Sequence, residues 1–236
     1  MIPNRVIFIW FLPFIVLIAG CDVPGLAPRI DVPPALVQDS ETAARQVRDC
    51  HLRVDLQLAN SLLEDRQVLD IWYARPDRIR LEIMESTQPG FQDVISASTG
   101  HAGWTYQHAY NRVDVGPVNE VKPAIVYDLV RSALDLWFAP ALFRVQDVAV
   151  DYVNREWTFK LSGTTEAATC TVWLSARSML PVQLRYQSES LGTYTMTVTE
   201  AEYNAGLTGE IFDLTLLPTS DYTIRSVERP TTQTSS

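Results

Sequence analysis

Residues 52–58 read Leu52-Arg53-Val54-Asp55-Leu56-Gln57-Leu58, four apolar side chains alternating with three polar ones. Successive side chains of a strand point to opposite faces, so this alternation is the signature of a strand with one buried face. Working outward, the same rhythm recurs at Val68 to Tyr73, Ile79 to Met84, Asp93 to Ser98, Gly103 to Gln107 and Arg112 to Val115. Turn-forming stretches divide these segments: Arg75-Pro76-Asp77, Gln88-Pro89-Gly90, Thr99-Gly100 and Ala109 to Asn111. The rhythm resumes at Val145 to Val153, Glu156 to Leu161, Thr169 to Leu174, Val182 to Gln187 and Tyr194 to Glu200, with a last element near Phe212 to Leu217. Closely spaced strands of this kind form an antiparallel meander, bent into a sandwich or barrel.

Two segments break the alternation. Ser40 is placed to cap a short helix over about 40–49, with Ala43, Ala44, Val47 and Cys50 at helical spacing. From Lys122 to Phe138, the residues Ile125, Leu129, Val130, Ala133, Leu134, Leu136, Trp137 and Phe138 are apolar, while Asp128, Arg131, Ser132 and Asp135 form one polar stripe. That pattern predicts one amphipathic helix ended by Pro140, more apolar than a surface helix needs to be. It is expected to be covered on most of its circumference, or to cover something itself.

The N-terminus predicts export. Val6 to Ala19 is apolar, uncharged and interrupted only by Pro13. At ~1.5 Å per residue it covers ~21 Å, short of the ~30 Å hydrocarbon layer, which favours a cleaved signal over a membrane span. Leu17-Ile18-Ala19-Gly20-Cys21 follows and resembles the bacterial lipobox, which implies acylation at Cys21; a plain signal peptide with a chance cysteine is the alternative. Two or three acyl chains suffice for a stable anchor. Residues 1–20 are thus read as a lipoprotein signal peptide and 21–39 as the acylated cysteine with a Pro-rich linker (Pro24, Pro28, Pro33, Pro34). One domain spans 40–220, and 221–236 is read as a polar, disordered tail.

The 236 residues are 47% hydrophobic, enough for one sizeable core. A net charge of -9 has the wrong sign for a nucleic-acid partner. Without residues 1–20 the charge is 18 minus 28, or -10, which disfavours electrostatic adsorption to an anionic bilayer. Seventeen basic residues are Arg, leaving only Lys122 and Lys160 for Schiff-base or phosphate-loop roles.

The strand-and-helix order also carries a resemblance. Trp72-Tyr73-Ala74-Arg75-Pro76-Asp77-Arg78-Ile79-Arg80 is similar to the Trp strand, basic-Pro turn and Arg strand of the periplasmic lipoprotein carrier LolA and its relatives. Thr99-Gly100-His101-Ala102-Gly103-Trp104-Thr105-Tyr106 resembles their glycine turn and Trp-x-Tyr strand. Asn111-Arg112-Val113 and Phe212-Asp213-Leu214 to Pro218 fall where that family has its post-hairpin strand and closing segment. Over residues 40–220 the resemblance implies a mainly β fold with helices: a curved antiparallel half-barrel closed by the apolar helix, with a concavity suited to acyl chains. Non-directional burial at ~25 cal/mol per Å2 fits such a ligand better than a polar metabolite. Cys21 departs from a soluble carrier, so anchored lipid-binding lipoproteins and envelope sensors of the wider group are the better comparison.

The cavity-lining candidates are Trp72, Leu81, Ile83, Trp104, Tyr106, Leu129, Leu134 and Trp137, with Trp104 and Tyr106 on one strand face. Catalysis finds little material. His101 and His108 straddle a strand, Cys50-His51 lacks an orienting third group, and of the pairs Glu82/Glu85 and Asp147/Asp151, Glu82 is expected to face solvent, which disfavours acid-base work. No nucleophile elbow, phosphate loop or zinc-protease motif occurs, so the expectation is a non-enzyme without metal or cofactor. With Cys21 acylated, Cys50 and Cys170 remain as an even pair; a disulfide would close a loop of ~120 residues, worth ~4 to 5 kcal/mol in the chain-entropy model. Two buried free thiols are the competing reading. The functional expectation is an envelope lipoprotein that binds a lipid or acylated protein. The alternative is an anchored sensor or assembly module, with an envelope protein partner and a non-functional cavity. Asp22 points to the outer face of the cytoplasmic membrane, with the outer membrane as the other location.

Overall fold

A computed structural model describes residues 34–59, 64–88, 90–121, 124–138, 143–166, 168–189, 192–218 and 221–227. Residues 1–33, which include the stretches read as signal peptide and linker and Cys21, and residues 228–236 lie outside them.

The chain builds one sheet of twelve strands, in the order β12-β6-β5-β4-β3-β2-β1-β11-β10-β9-β8-β7. The strands are β1 (Asp49–Ala59), β2 (Glu64–Ala74), β3 (Arg78–Ser86), β4 (Val94–Thr99), β5 (Ala102–Gln107) and β6 (Arg112–Pro117) in the first half. The second half holds β7 (Arg144–Val153), β8 (Glu156–Thr164), β9 (Thr169–Ser175), β10 (Pro181–Ser188), β11 (Gly192–Tyr203) and β12 (Thr223–Ser226). Each half is a meander of sequence neighbours. The two are joined by β1 pairing with β11, a contact between distant parts of the chain. Every pairing is antiparallel except β12 on β6. β12 and β7 are the two edges, so the sheet is not closed into a barrel.

Alternation sets the two faces. Leu52, Val54 and Leu56 on β1 lie opposite Ile71, Leu69 and Gln67 on β2 and Ala201, Val198 and Met196 on β11. Side chains directly opposite share a face, and the inner one continues through Leu184, Val172 and Leu161 to Val148. Val94 on β4 and Val148 on β7 stand at far sides of the sheet yet belong to one core cluster, so the sheet curls around it. That core also takes residues of α1 (Pro34–Gln46) and α3 (Ala124–Phe138); a one-turn helix α2 (Val118–Val121) precedes α3. None of these helices is long and apolar enough to cross a membrane.

The pattern-based boundaries need three corrections. α1 starts at Pro34 rather than near Ser40, with Leu36 buried, so its first turns come from the stretch read as linker. Proline is tolerated in the first turn of a helix, where its missing N–H has no intrahelical acceptor. At the other end, residues 223–226, expected to be disordered, form β12. Their side chains are exposed and give no amphipathic signal; the strand forms because its backbone satisfies the edge of β6, with Thr223 N–H donating to Asn111 O (3.1 Å) and Val227 N–H to Val115 O (2.8 Å). Finally, residues 209–216 contain two short 3-10 turns, Gly209–Phe212 and Leu214–Leu216, rather than a strand.

Candidate functional site

The eight cavity candidates divide between the two faces of the sheet. Leu81 and Ile83 point inward, and Leu129, Leu134 and Trp137 on α3 meet the same core; all five are buried. Trp104 and Tyr106 point outward. They lie opposite Ala97 and Ile95 on β4 and Val115 and Val113 on β6, in a second apolar cluster completed by Leu214, Leu217 and Tyr222. Trp72 is also an outer residue, half-buried, stacked on His51 at 4.6 Å. Period-two alternation requires this split: Leu81 lies across from Ile71 and Ser96 on one face, while Arg80 lies across from Trp72 and Ala97 on the other.

On the inner side, α3 is held by apolar burial and by polar contacts at its two ends. Near its start, the hydroxyls of Tyr127 and Ser98 are 2.5 Å apart. At its end, Arg75 donates from Nη2 to Phe138 O (3.3 Å) and also to Ala44 O in the last turn of α1 (3.0 Å). The last carbonyls of a helix lack intrahelical donors and carry the negative end of its dipole, so one guanidinium satisfies both helices at once. Arg75 also lies over the Phe138 ring (5.8 Å), and Tyr73 stacks on that ring (5.3 Å). Among the described residues, the buried indole N–H of Trp137 has no partner in this apolar interior.

Two cavities lie on the outer face, and a third, of about 310 Å3, opens between Asn154, Ser175, Pro181 and Val198. Of the outer two, one of about 440 Å3 is lined by Arg80, Glu82, Ile95, Tyr106, His108 and Leu216; the other, of about 260 Å3, lies between Trp104, Val115 and Phe212. The C-terminal segment roofs both. Trp104 donates its indole N–H to Phe212 O (3.0 Å), and Arg80, buried between the rings of Trp72 and Trp104 (5.6 and 5.7 Å), donates to Ile211 O (2.9 Å) and to Glu82. Glu82 therefore lies on the outer face as expected, but under cover and ion-paired rather than freely solvated. Arg75 and Arg80 were legible only as members of an Arg-rich hairpin. Nothing local shows that Arg75 reaches Phe138 O, 63 residues away, or that Arg80 reaches Ile211 O, 131 away.

The remaining candidates do not assemble into a reactive centre. Cys50 and Cys170 are free and buried, which corrects the disulfide expectation. The register gives the reason: Cys170 aligns through Tyr186 and Tyr194 with Leu58, so it sits ~26 Å along the strand direction and three strands across from Cys50, against the ~7 Å that a bridge allows. Burial pushes the Cys50 thiol up to about 12 and Cys170 to about 11, values of packing residues rather than nucleophiles. His101 and His108 are exposed, and His51 rests on Trp72 with Asp70 at 3.7 Å. Among the described residues no cluster of His, Cys, Asp and Glu is arranged to hold a metal. Asp151 accepts from Trp173 Nε1 (2.9 Å) and from the Tyr152 N–H, which hold its carboxyl below the usual range; among the described residues it forms no pair with Asp147. Of the other tryptophans, Trp157 is exposed at the β7–β8 hairpin, and Trp173 is buried against Lys160.

No family model and no curated protein matches the chain. Solved structures do. A conserved protein from Thermus thermophilus superposes with a TM-score of 0.54 at 12% identity, over 82% of this chain and 98% of that one. The Mycobacterium tuberculosis lipoprotein LppX aligns over 77% of this chain and 100% of its own at 17% identity, with a TM-score of 0.47. A LolA superfamily protein from Nitrosomonas europaea aligns over 78% and 98% at 9% identity, with a TM-score of 0.39. The chain thus has a mainly β fold, an open antiparallel sheet curled around helices like that of the Thermus thermophilus protein, and the solved structures similar to it include a member of the LolA superfamily that its sequence motifs resemble.

Proposed function

We propose that this protein is an exported cell-envelope lipoprotein, acylated at Cys21, that binds a lipid or the acyl chains of a lipoprotein on the inner face of the half-barrel. On this reading it is a binding protein rather than an enzyme, and α3 shifts to admit the ligand. One observation supports the reading: the core that the sheet curls around takes, beside α1, a 15-residue helix that meets it through apolar side chains and is hydrogen-bonded to the rest of the fold near its ends, at Tyr127 and Phe138. Apolar burial is non-directional, so an acyl chain can replace helix side chains at similar free energy per unit area. Asp22 after the acylated cysteine favours the outer face of the cytoplasmic membrane. The test is native mass spectrometry with solvent extraction of the purified full chain. Co-purifying acyl lipid, displaced by added lipid, is the expected result; a chain that carries none and takes up none refutes it.

A second reading has its own support. The concavity is filled by the protein's own side chains, whereas two of the cavities lie on the outer face under residues 209–218. An anchored sensor or assembly module, its interior serving only as a core, would have this arrangement. The same experiment separates the two, since such a module stays empty.

A further inference from the structure

The inner face changes character toward the far end of β1 and the facing start of β11. Its rows are apolar at Leu52 and Val54, but the next positions in register are Gln67 and Asp65 on β2, facing Leu56 and Leu58, and Tyr194 on β11, also facing Leu58. Gln67 is 1% exposed, Asp65 5% and Tyr194 1%. Asp65 accepts from Gln67 Nε2 (2.7 Å) and from Thr87 Oγ1 (2.5 Å), both neutral donors. Its neighbour Arg66 is turned the other way, onto Asp55 at 2.6 Å. Among the described residues, the Oε1 of Gln67 and the hydroxyl of Tyr194 have no partner.

A buried carboxylate that meets only neutral donors among the described residues is costly, and an orphan acceptor beside it adds to the cost. The arrangement lacks one thing: a cation that donates hydrogen bonds. We propose that Asp65 and Gln67 form the polar end of the ligand-binding face, where the N–H-bearing cationic head of an amphiphile, such as a primary ammonium, docks while its chain lies along Leu56, Leu69 and Met196. This rests on the lipid-binding reading and names the head-group class that reading leaves open. The ammonium donates to Asp65 and to Gln67 Oε1, and its positive charge compensates the carboxylate. A head of equal charge without N–H groups satisfies neither acceptor, and a carboxylate head meets like charge.

The test is calorimetric titration of the full chain, carrying Cys21→Ser to remove the acylated position, with three probes of equal chain length: dodecylammonium, dodecyltrimethylammonium and laurate. Dodecylammonium should bind about tenfold tighter than either of the others, the margin expected of one charge-assisted hydrogen-bonded pair. Asp65→Asn should cut the preference for dodecylammonium severalfold while chain binding persists, and the near-isosteric Gln67→Met should narrow it by less. Equal binding of the three probes by the parent chain, or a preference left undiminished by Asp65→Asn, overturns the head-group assignment and leaves lipid binding standing. Failure of all three to bind overturns both.

Discussion

Replacing Arg75 by Met tests whether α3 is the movable element. The side chain keeps its apolar stem but loses the guanidinium that donates to Ala44 O and Phe138 O. Arg75 is partly solvated, so each of these bonds is worth the ordinary net ~1 kcal/mol rather than the upper range for buried charged donors. Loss of the cation from two helix C-termini removes a further ~0.3 kcal/mol each at solvated positions. The sum is ~2.5 kcal/mol, and it falls on the ends of α1 and α3 rather than on the sheet. The share of α3 is about half of this, ~1.3 kcal/mol, so amides of residues 126–138 should exchange with solvent roughly tenfold faster, since ~1.4 kcal/mol is a factor of ten. Strands β1, β2 and β11 should keep most of their protection, with acyl-chain uptake accelerated. Hydrogen exchange read by mass spectrometry resolves these segments. Arg75→Lys should fall between, because an ammonium retains the charge but not the planar fork that reaches two carbonyls. If α3 protection is unchanged in Arg75→Met, or if sheet and helix lose protection equally, the helix is not a separately opening unit and the reasoning fails.

Leu134→Glu places a carboxylate without a partner in the inner core, where Leu134 is 1% exposed. A loss of at least ~3 kcal/mol in urea denaturation, or loss of lipid uptake, is expected, and retention of both would remove α3 from the core. The buried thiols predict alkaline sensitivity. Their folded values, about 12 for Cys50 and about 11 for Cys170, lie above the ordinary 9.0, so the stability they contribute is intact below pH 9 and falls as pH rises from 9 through 11 to 12. Urea midpoints at pH 7, 9 and 10.5 should show that decline, smaller in Cys50→Ala/Cys170→Ala; the full chain carrying Cys21→Ser should titrate two thiols once denatured without reductant. Trp104→Phe deletes the bond to Phe212 O and should cost ~1 to 2 kcal/mol while exposing residues 209–218 to limited proteolysis. Cys21→Ser should release the protein from the membrane fraction, and unchanged fractionation would refute the anchor.

The division of the sheet into two faces marks where reading from sequence succeeds and where it stops. Alternation within Leu52 to Leu58 fixes which side chains share a face, because that depends only on the pleat, and every inner residue of β1 keeps its parity in the structure. It does not decide whether Trp104 and Tyr106 share a face with Leu81 and Ile83. That depends on the phase of β4 and β5 relative to β3, where Leu81 lies opposite Ser96, and Ser96 in turn opposite Thr105. A small or polar residue facing the core, such as Ser96, Ser98 or Thr105, gives the apolar pattern of this region to the outer face and inverts a reading that takes the more aromatic side as interior. The inversion is stable only because a second layer, Leu214, Leu217 and Tyr222, arrives more than a hundred residues later to bury Trp104 and Tyr106. That layer has little helical or strand periodicity of its own. Its signal is the isolated Phe212 and the leucines after it, meaningful only once the face they cover is known. The polar end of the inner face was hidden for the same reason. Asp65 and Gln67 look like solvated residues of an alternating strand, and only their register opposite Leu58 and Leu56 places a carboxylate and an amide on the apolar side, where a ligand's head group would have to meet them.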